Sequence, residues 1–265
     1  MTSELRSRCD LLRALHKAGT PLLLPNAWDA ATARAVAAAG FPVVATTSWG
    51  VAAALGYQDH EDAPPAEMFA AAARISRCVN VPVTIDAEAG YGMEATALVA
   101  ALHAIGAAGC NLEDTDYTLG VPHNDAAGLL RDPAQHATWL REVREAANAM
   151  EYPLVINARV DSFLSPYVAR AEVGTQRKHV PEALDRASAY LDAGADCVYP
   201  IALWEPDALE MFMSSLRAPV NITRMPEGLP VADLQSLGVA RISWAIFLYQ
   251  ASIAHFEGQL RALTR

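Results

Sequence analysis

The sequence has few charged residues and no surplus of basic ones. Asp, Glu, Lys and Arg make up 19% of the 265 residues, which is less than disordered or coiled-coil sequences contain. The formal net charge is −10, and this argues against a nucleic-acid partner, because nucleic-acid-binding proteins present a basic surface to the phosphates. A small anionic substrate is not excluded, since it responds to the local field of its site.

Cysteine pairs and long apolar runs are also missing. None of the four cysteines, Cys9, Cys78, Cys110 and Cys197, belongs to a C-x-x-C pair, which disfavours a zinc site. No apolar run is long enough to cross a bilayer, and the N-terminus lacks the continuous apolar segment of a signal peptide. We therefore expect a soluble, cytoplasmic protein with no membrane partner.

Short apolar runs are present instead, and they alternate with helical patterns eight times. A first helix is predicted at residues 4–18. The predicted strands span 22–25, 41–47, 81–85, 110–113, 153–159, 196–201, 219–223 and 239–244, and each is followed by a helix, at about 28–39, 66–79, 94–108, 131–150, 181–193, 205–216, 230–237 and 246–263. The connections 48–65, 114–131 and 161–180 are predicted as loops.

This order of elements predicts an α/β fold, a (β/α)8 TIM barrel that forms a single domain over residues 1–265 with an N-terminal helix. An open doubly wound sheet is the alternative. Such a sheet usually carries a glycine-rich phosphate loop after its first strand, whereas this chain has PNAWDA there. The barrel is therefore favoured.

Polar residues gather at the predicted strand ends, where barrels of this kind place their active sites. Asp86 and Glu88 end the strand at 81–85, with one residue between them, and Gly90 and Gly92 follow. Two neighbouring carboxylates repel each other unless a hard divalent cation joins them, although a surface turn whose acids face water is the alternative. The other residues at strand ends or after the second strand that we consider are Ser48, Trp49, Gly50, Tyr57, Asp59, His60, Glu61, Glu113, Asp114, Asn157, Arg159, Asp161 and Asn221.

Three or four acids at one barrel mouth would suit Mg²⁺ or Mn²⁺, which prefer oxygen ligands. Arg159 complements them, because its planar fork matches a carboxylate or phosphonate. Metal and arginine together predict a site for a small dianionic acid whose enolate the metal would stabilise. The alternatives are that Arg159 pairs with Asp161 or Glu113, that Asn221 only satisfies backbone groups, and that Trp49 only packs.

The segments TTSWG, GYQDHE, TIDAEAGYG, GCNLEDT, NARVDSF, RASAYLDAGADCVYP and RISWA, in this order over roughly residues 20–250, resemble the isocitrate lyase/phosphoenolpyruvate mutase superfamily. That family is a (β/α)8 barrel whose Mg²⁺-dependent members make or break C–C or P–C bonds through an enolate. The resemblance implies metal-site roles for Asp59, Asp86, Glu88 and Glu113, a substrate-carboxylate role for Arg159, substrate seating by Ser48, Trp49 and Gly50, and a place for Asn221 near the distal end of the substrate. It also implies a homo-oligomer, a dimer or a tetramer.

The chain departs from the family pattern at two points. The connection DTDYTLGVPHNDAAGLLRD has neither the lysine nor the cysteine that family members carry there, and Ile201 stands where many lyases have a glutamate. Tyr117, His123 or Asp125 could supply the missing proton, although a solvated polar loop is the alternative for each. We expect a lyase that acts on a small 2-oxo or 2-hydroxy carboxylate. The alternatives are P–C bond chemistry on a phosphonate and a barrel that binds metal and dicarboxylate without turnover.

Overall fold

The computed structural model describes residues 2–119, 130–168 and 172–264. The strands are β1 Leu22–Leu24, β2 Asn26–Ala27, β3 Val44–Thr46, β4 Val83–Asp86, β5 Gly109–Glu113, β6 Val155–Val160, β7 Cys197–Pro200, β8 Asn221–Thr223 and β9 Arg241–Ser243. The α-helices are α1 Ser3–Ala14, α2 Ala30–Ala38, α3 Ser48–Leu55, α4 Pro65–Ser76, α5 Ala95–Ala104, α6 Pro133–Ala149, α7 Leu164–Val168, α8 Val180–Asp192, α9 Pro206–Ser215, α10 Val231–Ser236 and α11 Phe247–Leu263. Short 3₁₀ turns lie at Tyr117–Leu119 and Gln176–His179.

The strands close into a parallel ring. Strands β2 to β7 pair in chain order, and β1, β9 and β8 pair in a second group. A parallel bridge between Val198 and Val220 joins β7 to β8, and Pro25 separates β1 from β2 within the first predicted strand. Proline has no N–H for the ladder, so this strand changes partner at Pro25, from β9 to β3. The predicted (β/α)8 barrel with an N-terminal helix is confirmed.

Two connections that we predicted as loops contain helices. Helix α3 begins at Ser48, directly after β3, and ends at Gly56, whose φ of +93° closes it in the left-handed conformation. Its sequence, SWGVAAAL, shows no amphipathic period because Ser48 is its one polar residue. Helix α7 similarly occupies five residues of the predicted loop 161–180.

The inside of the barrel is polar below the mouth. Asn157 Nδ2 donates to Asn111 Oδ1 at 2.8 Å, and Arg241 Nη2 donates to the same oxygen at 3.1 Å. Because β5 and β9 are not neighbours in the ring, the bond between Asn111 and Arg241 crosses its interior. The apolar core lies between the strands and the helices, and it includes Leu112, Ile156 and Leu140. The polar interior therefore supports the strand ends above it.

The last helix, α11, packs differently from the others. None of its residues is buried, and Ile253, Phe256, Leu260 and Leu263 expose between 40% and 82% of their surface. These four follow one another at spacings of three, four and three, so they form one stripe along the helix. No helix within the described ranges is both long and apolar enough to cross a bilayer.

Candidate active site

Asp86 lies at the end of β4 against the first turn of α3. Its backbone N–H donates to Thr46 Oγ1 at 2.8 Å, and its Oδ2 accepts from the Ser48 N–H at 3.1 Å. The N-terminal turn of a helix favours negative charge, so α3 helps to hold this carboxylate. The other oxygen, Asp86 Oδ1, is buried and has no hydrogen-bond partner among the described residues. One oxygen of Asp86 is therefore available to a ligand.

Glu88 is held on both of its oxygens. Its Oε2 accepts from the Glu61 N–H at 2.6 Å, and its Oε1 accepts from the Tyr91 hydroxyl at 3.0 Å. Glu61 in turn accepts from the Tyr91 N–H at 2.5 Å, so the loop after α3 is joined to the loop after β4. Burial, together with the charge of Asp59, raises the pKa of Glu88 to about 8. Glu88 can reach a cation through water or by exchanging a hydrogen bond.

Arg159, at the end of β6, contacts two acids. Its Nε and Nη2 donate to Asp161 at 2.6 and 2.7 Å, and its Nη1 contacts Glu113 Oε2. The other oxygen of Glu113 accepts from the Tyr117 hydroxyl, which also lies 3.2 Å from His60 Nδ1. The alternative in which Arg159 pairs with Asp161 or Glu113 is thus realised with both residues. Two of its five N–H groups are not used in these contacts.

Asp59 completes the acidic group. It is buried, and its Oδ1 has no hydrogen-bond partner within the part of the chain that the structure describes. Burial raises the pKa of Asp59, and the charge of Asp86 adds to this rise while His60 opposes it. Asp59 and Asp86 therefore each present one bare, buried oxygen.

The donor set fits a cation that takes few direct protein ligands. Among the described residues, no group of three or more His, Cys, Asp or Glu side chains has the arrangement of a metal centre. Magnesium usually keeps several waters and takes one or two carboxylates directly. The bare oxygens of Asp59 and Asp86 match that requirement.

A cavity of about 220 Å³ opens beside this group. Asp59, His60, Arg159 and Thr223 line one part of it, and Trp49 lies on the same wall as apolar residues from α7 and from the loops after β7 and β9. Pockets for drug-sized ligands range from about 300 to 1,000 Å³, so this cavity suits a compact molecule.

The loops around the cavity contain most of the unusual backbone conformations in the structure. Of seven described residues other than glycine with positive φ, six lie at the barrel mouth: His60, Glu61, Glu88, Tyr91, Ala202 and Ala245. Such conformations cost about 1–3 kcal/mol each and persist where surrounding contacts determine them, most often at functional sites. Their clustering supports the mouth as the working end of the barrel.

The structure separates the remaining predicted site residues. Ser48 contributes its backbone N–H to Asp86, and Trp49 lines the cavity. At Gly50 a Cβ would meet Thr47 Cγ2 at 2.8 Å and Trp28 Cβ at 3.0 Å. Its small size is thus explained by packing.

Asn221 lies one layer below the mouth. It is fully buried, and its Oδ1 accepts from Ser243 Oγ at 3.3 Å, whereas Thr223, two residues further along β8, lines the cavity. Among the proton-donor candidates, Tyr117 touches Glu113, while His123 and Asp125 lie outside the described residues.

Several residues of the site were missed by our sequence reasoning. Tyr91 stands in the quoted TIDAEAGYG segment, yet we gave it no role. Asp114, which we noted only as an acid at a strand end, accepts from the Asp161 N–H at 2.9 Å and from the Tyr190 hydroxyl at 2.6 Å. Arg186 contacts the same Asp114 carboxylate at 3.2 Å. No local pattern identifies this contact, because Arg186 and Tyr190 come from α8, far along the chain.

Comparison with known proteins agrees with the fold. The sequence profile of the phosphoenolpyruvate phosphomutase family matches residues 12–264. An uncharacterised protein of Mycobacterium tuberculosis H37Rv is 33% identical over 250 residues, which cover 94% of this chain and 87% of that protein. A probable 2-methylisocitrate lyase of Corynebacterium glutamicum is 29% identical over 256 residues, which cover 94% of this chain and 78% of the relative.

A solved structure is similar over nearly the whole length. The crystal structure of a proposed phosphonomutase from Burkholderia cenocepacia J2315 is 36% identical and superimposes with a TM-score of 0.86. The match covers 96% of this chain and 99% of that one.

Proposed function

Because the chain belongs to the isocitrate lyase/phosphoenolpyruvate mutase superfamily, we propose that it is a Mg²⁺-dependent lyase acting on a small 2-oxo or 2-hydroxy carboxylate. The reaction would pass through an enolate-type intermediate, by C–C cleavage or decarboxylation. The observation that carries the proposal is the pair of bare, buried carboxylate oxygens, Asp59 Oδ1 and Asp86 Oδ1, at the mouth that Arg159 also lines.

The residues present would hold Mg²⁺, or Mn²⁺, through Asp59 and Asp86, with Glu88 and Glu113 acting through water. When bound, the ion would supply a Lewis acid for the negative charge that develops on an enolate oxygen. Asp86 is kept in place by α3 and Thr46, and Glu88 by Glu61 and Tyr91. These contacts fix the acids before any substrate arrives, which lowers the cost of reorganisation during the reaction.

Arg159 would orient the substrate carboxylate. Asp161 fixes the plane of its guanidinium, and the two N–H groups left over can donate to an anion in the cavity that Arg159 lines. Tyr117 is the proton donor that we propose among the described residues, because its hydroxyl lies between Glu113 and His60. Burial raises the pKa of Tyr117, so its proton stays on the hydroxyl at neutral pH.

A second candidate is P–C bond chemistry, as in a phosphoenolpyruvate mutase or a phosphonopyruvate hydrolase. The resemblance to the proposed phosphonomutase over 96% of this chain favours it. The same metal site and Arg159 would serve either reaction, since both stabilise an enolate next to a carboxylate. A third candidate is a barrel that binds metal and dicarboxylate without turnover, since 114–132 contains neither lysine nor cysteine.

A turnover screen with proton and phosphorus NMR tests these candidates. The panel holds isocitrate, methylisocitrate, a dialkylmalate, oxaloacetate and phosphonopyruvate, each with Mg²⁺. Asp86→Asn removes a predicted metal ligand while keeping the shape of the side chain. Asp29→Asn is the matched control, because Asp29 caps α2 outside the site and asparagine caps helices about as well.

Each outcome separates the candidates. Pyruvate or glyoxylate that appears from a panel member without phosphorus, with the control variant and not with Asp86→Asn, supports C–C cleavage. A new phosphorus signal from phosphonopyruvate supports P–C chemistry. Silence with Mg²⁺-dependent oxalate binding supports a barrel that binds without turnover. Silence without oxalate binding overturns the metal site.

We also propose that the protein is a homo-oligomer, a dimer or a tetramer. The apolar stripe of α11 supports this, because exposed side chains at spacings of three and four on one helix face match the seam of helix-to-helix packing. A second copy of the chain would cover the stripe.

A further inference from the structure

The cavity at the barrel mouth has two chemically distinct parts. Its polar part consists of Asp59, His60, Arg159 and Thr223. The remaining wall is mostly apolar and includes Leu164, Tyr167, Ile201, Met225, Ile246 and Phe247. A ligand whose carboxylate meets Arg159 must therefore place its other end against hydrocarbon.

The described residues that line the cavity provide little positive charge for a second carboxylate. Arg159 is the one arginine among the described residues that line it, and three of its five N–H groups already contact Asp161 and Glu113. Asp59 adds negative charge to the polar part of the cavity that contains Arg159. An anionic group placed against Ile201 and Met225 would lose its hydration without gaining a cation from the described residues of the cavity wall, whereas an alkyl group there would gain from burial.

The apolar wall is held in place by hydrogen bonds. Gln176 donates its side-chain N–H to the Ala202 carbonyl at 2.6 Å, and its Oε1 accepts from the backbone N–H groups of Trp204 and Glu205 at 2.9 and 3.0 Å. These bonds fix the loop after β7, which carries Ile201. Ala202 has a φ of +61°, a conformation that persists only because such contacts impose it. The wall is therefore a formed surface before ligand binding.

From this arrangement we infer that the substrate carries an apolar substituent, an alkyl or small aryl group, at the end remote from the carboxylate that Arg159 binds. The substrate class is then an alkyl- or aryl-substituted 2-oxo or 2-hydroxy acid, and a tricarboxylate is disfavoured. The inference rests on the proposed function, because it assumes that Arg159 and the metal site bind the acid end.

Two ligands of nearly the same shape test this inference. In 5-methyl-2-oxohexanoate an isopropyl group replaces the distal carboxylate of 2-oxoglutarate, so the pair differs in charge at one end. Titration calorimetry of each ligand, with saturating Mg²⁺, compares their dissociation constants. We expect the alkyl ligand to bind at least roughly 10-fold more tightly, the lower bound for a change of one hydrophobic group in a pocket.

A pair of variants assigns the preference to the wall. Ile201→Lys places a cation at the distal end. We expect this variant to reduce or reverse the preference for the alkyl ligand over 2-oxoglutarate. Ile201→Met keeps the wall apolar and should keep the ratio. Oxalate, which has no distal group, should bind both variants as it binds the unmodified protein.

The oxalate titration separates failure of the inference from failure of the proposed function. If oxalate binds with Mg²⁺ and 2-oxoglutarate binds as tightly as its alkyl counterpart, the inference is overturned and the proposed function stands. The same conclusion follows if Ile201→Lys leaves the ratio unchanged. If oxalate does not bind at all, the proposed function fails and takes the inference with it.

Discussion

Acidification should destabilise this protein through His136, and the structure sets the size of the effect. The imidazole is 1% exposed, lies on α6 against Tyr190 and Trp139, and has no hydrogen-bond partner on either nitrogen among the described residues. Burial, and the nearby charges of Arg131 and Arg186, lower the pKa of His136 to about 3, with Asp161 opposing. The folded protein therefore holds this histidine neutral.

The unfolded chain takes up the proton first, since its histidine has a pKa of about 6.5. Stability from this group is complete above pH 6.5 and is lost as the pH falls from 6.5 towards 3. At pH 5 the loss is about 2 kcal/mol, because the unfolded state is protonated there and the folded state is not. This figure depends little on the folded pKa, provided that it stays well below 5.

Urea unfolding followed by circular dichroism at pH 7 and pH 5 measures the loss. His136→Leu removes the titrating group and keeps the site apolar, so its free energy of unfolding should fall by about 2 kcal/mol less between the two pH values. His255→Gln, on the exposed α11, is the matched control and should behave like the unmodified protein. The carboxylates at the barrel mouth titrate in all three proteins and cancel in the comparison. An equal pH dependence in His136→Leu and the unmodified protein would refute the reasoning.

Three further predictions address the mouth and the last helix. Gly90→Ala should cost about 1–3 kcal/mol more than Gly174→Ala in urea unfolding, because both glycines have φ near +90° but only at Gly90 would a Cβ meet Trp139, at 2.6 Å. Phe256→Glu should lower the mass measured by light scattering, since it places charge in the apolar stripe of α11; an unchanged mass would exclude this interface. Tyr117→Phe should lower kcat by about 10²- to 10⁴-fold on the substrate that the NMR panel identifies, with oxalate affinity kept; an unchanged kcat would remove Tyr117 as the proton donor.

The barrel was predictable because its signal is repeated. Each strand is a short apolar run followed by a helical pattern, so an error in one element leaves the count of eight unchanged. The split at Pro25 illustrates this tolerance: the first strand changes partner there and the ring still closes. The gathering of polar residues at the strand ends was predictable because parallel strands bring their C-terminal ends to one edge.

The depth and direction of individual side chains were not predictable. Asn221 and Thr223 both lie on β8, and only the stagger between strands decides that Thr223 reaches the cavity while Asn221 stays below. The partners of Arg159 show the same limit, since the sequence offered Asp161, Glu113 and a ligand as alternatives and the structure brings two of them together. Helix α3 was missed because its buried, alanine-rich sequence has no polar face.

The acids at the mouth differ in whether both of their oxygens have a partner. Six carboxylates lie at the mouth: Asp59, Glu61, Asp86, Glu88, Glu113 and Asp161. The guanidinium of Arg159 contacts two of them, Glu113 and Asp161. Burial raises the pKa values of Asp59, Glu61, Glu88 and Glu113, so each is costly to keep ionised.

Hydrogen bonds satisfy both oxygens of Glu88, and contacts with Tyr117 and Arg159 occupy both oxygens of Glu113. Asp59 and Asp86 each keep one oxygen that nothing in the described chain satisfies. A fold that needed these acids only for packing would gain by replacing the two bare ones with amides or apolar groups, since an unsatisfied buried carboxylate is destabilising. A divalent cation reverses that balance, because it needs bare oxygens and offsets the charge of the whole group.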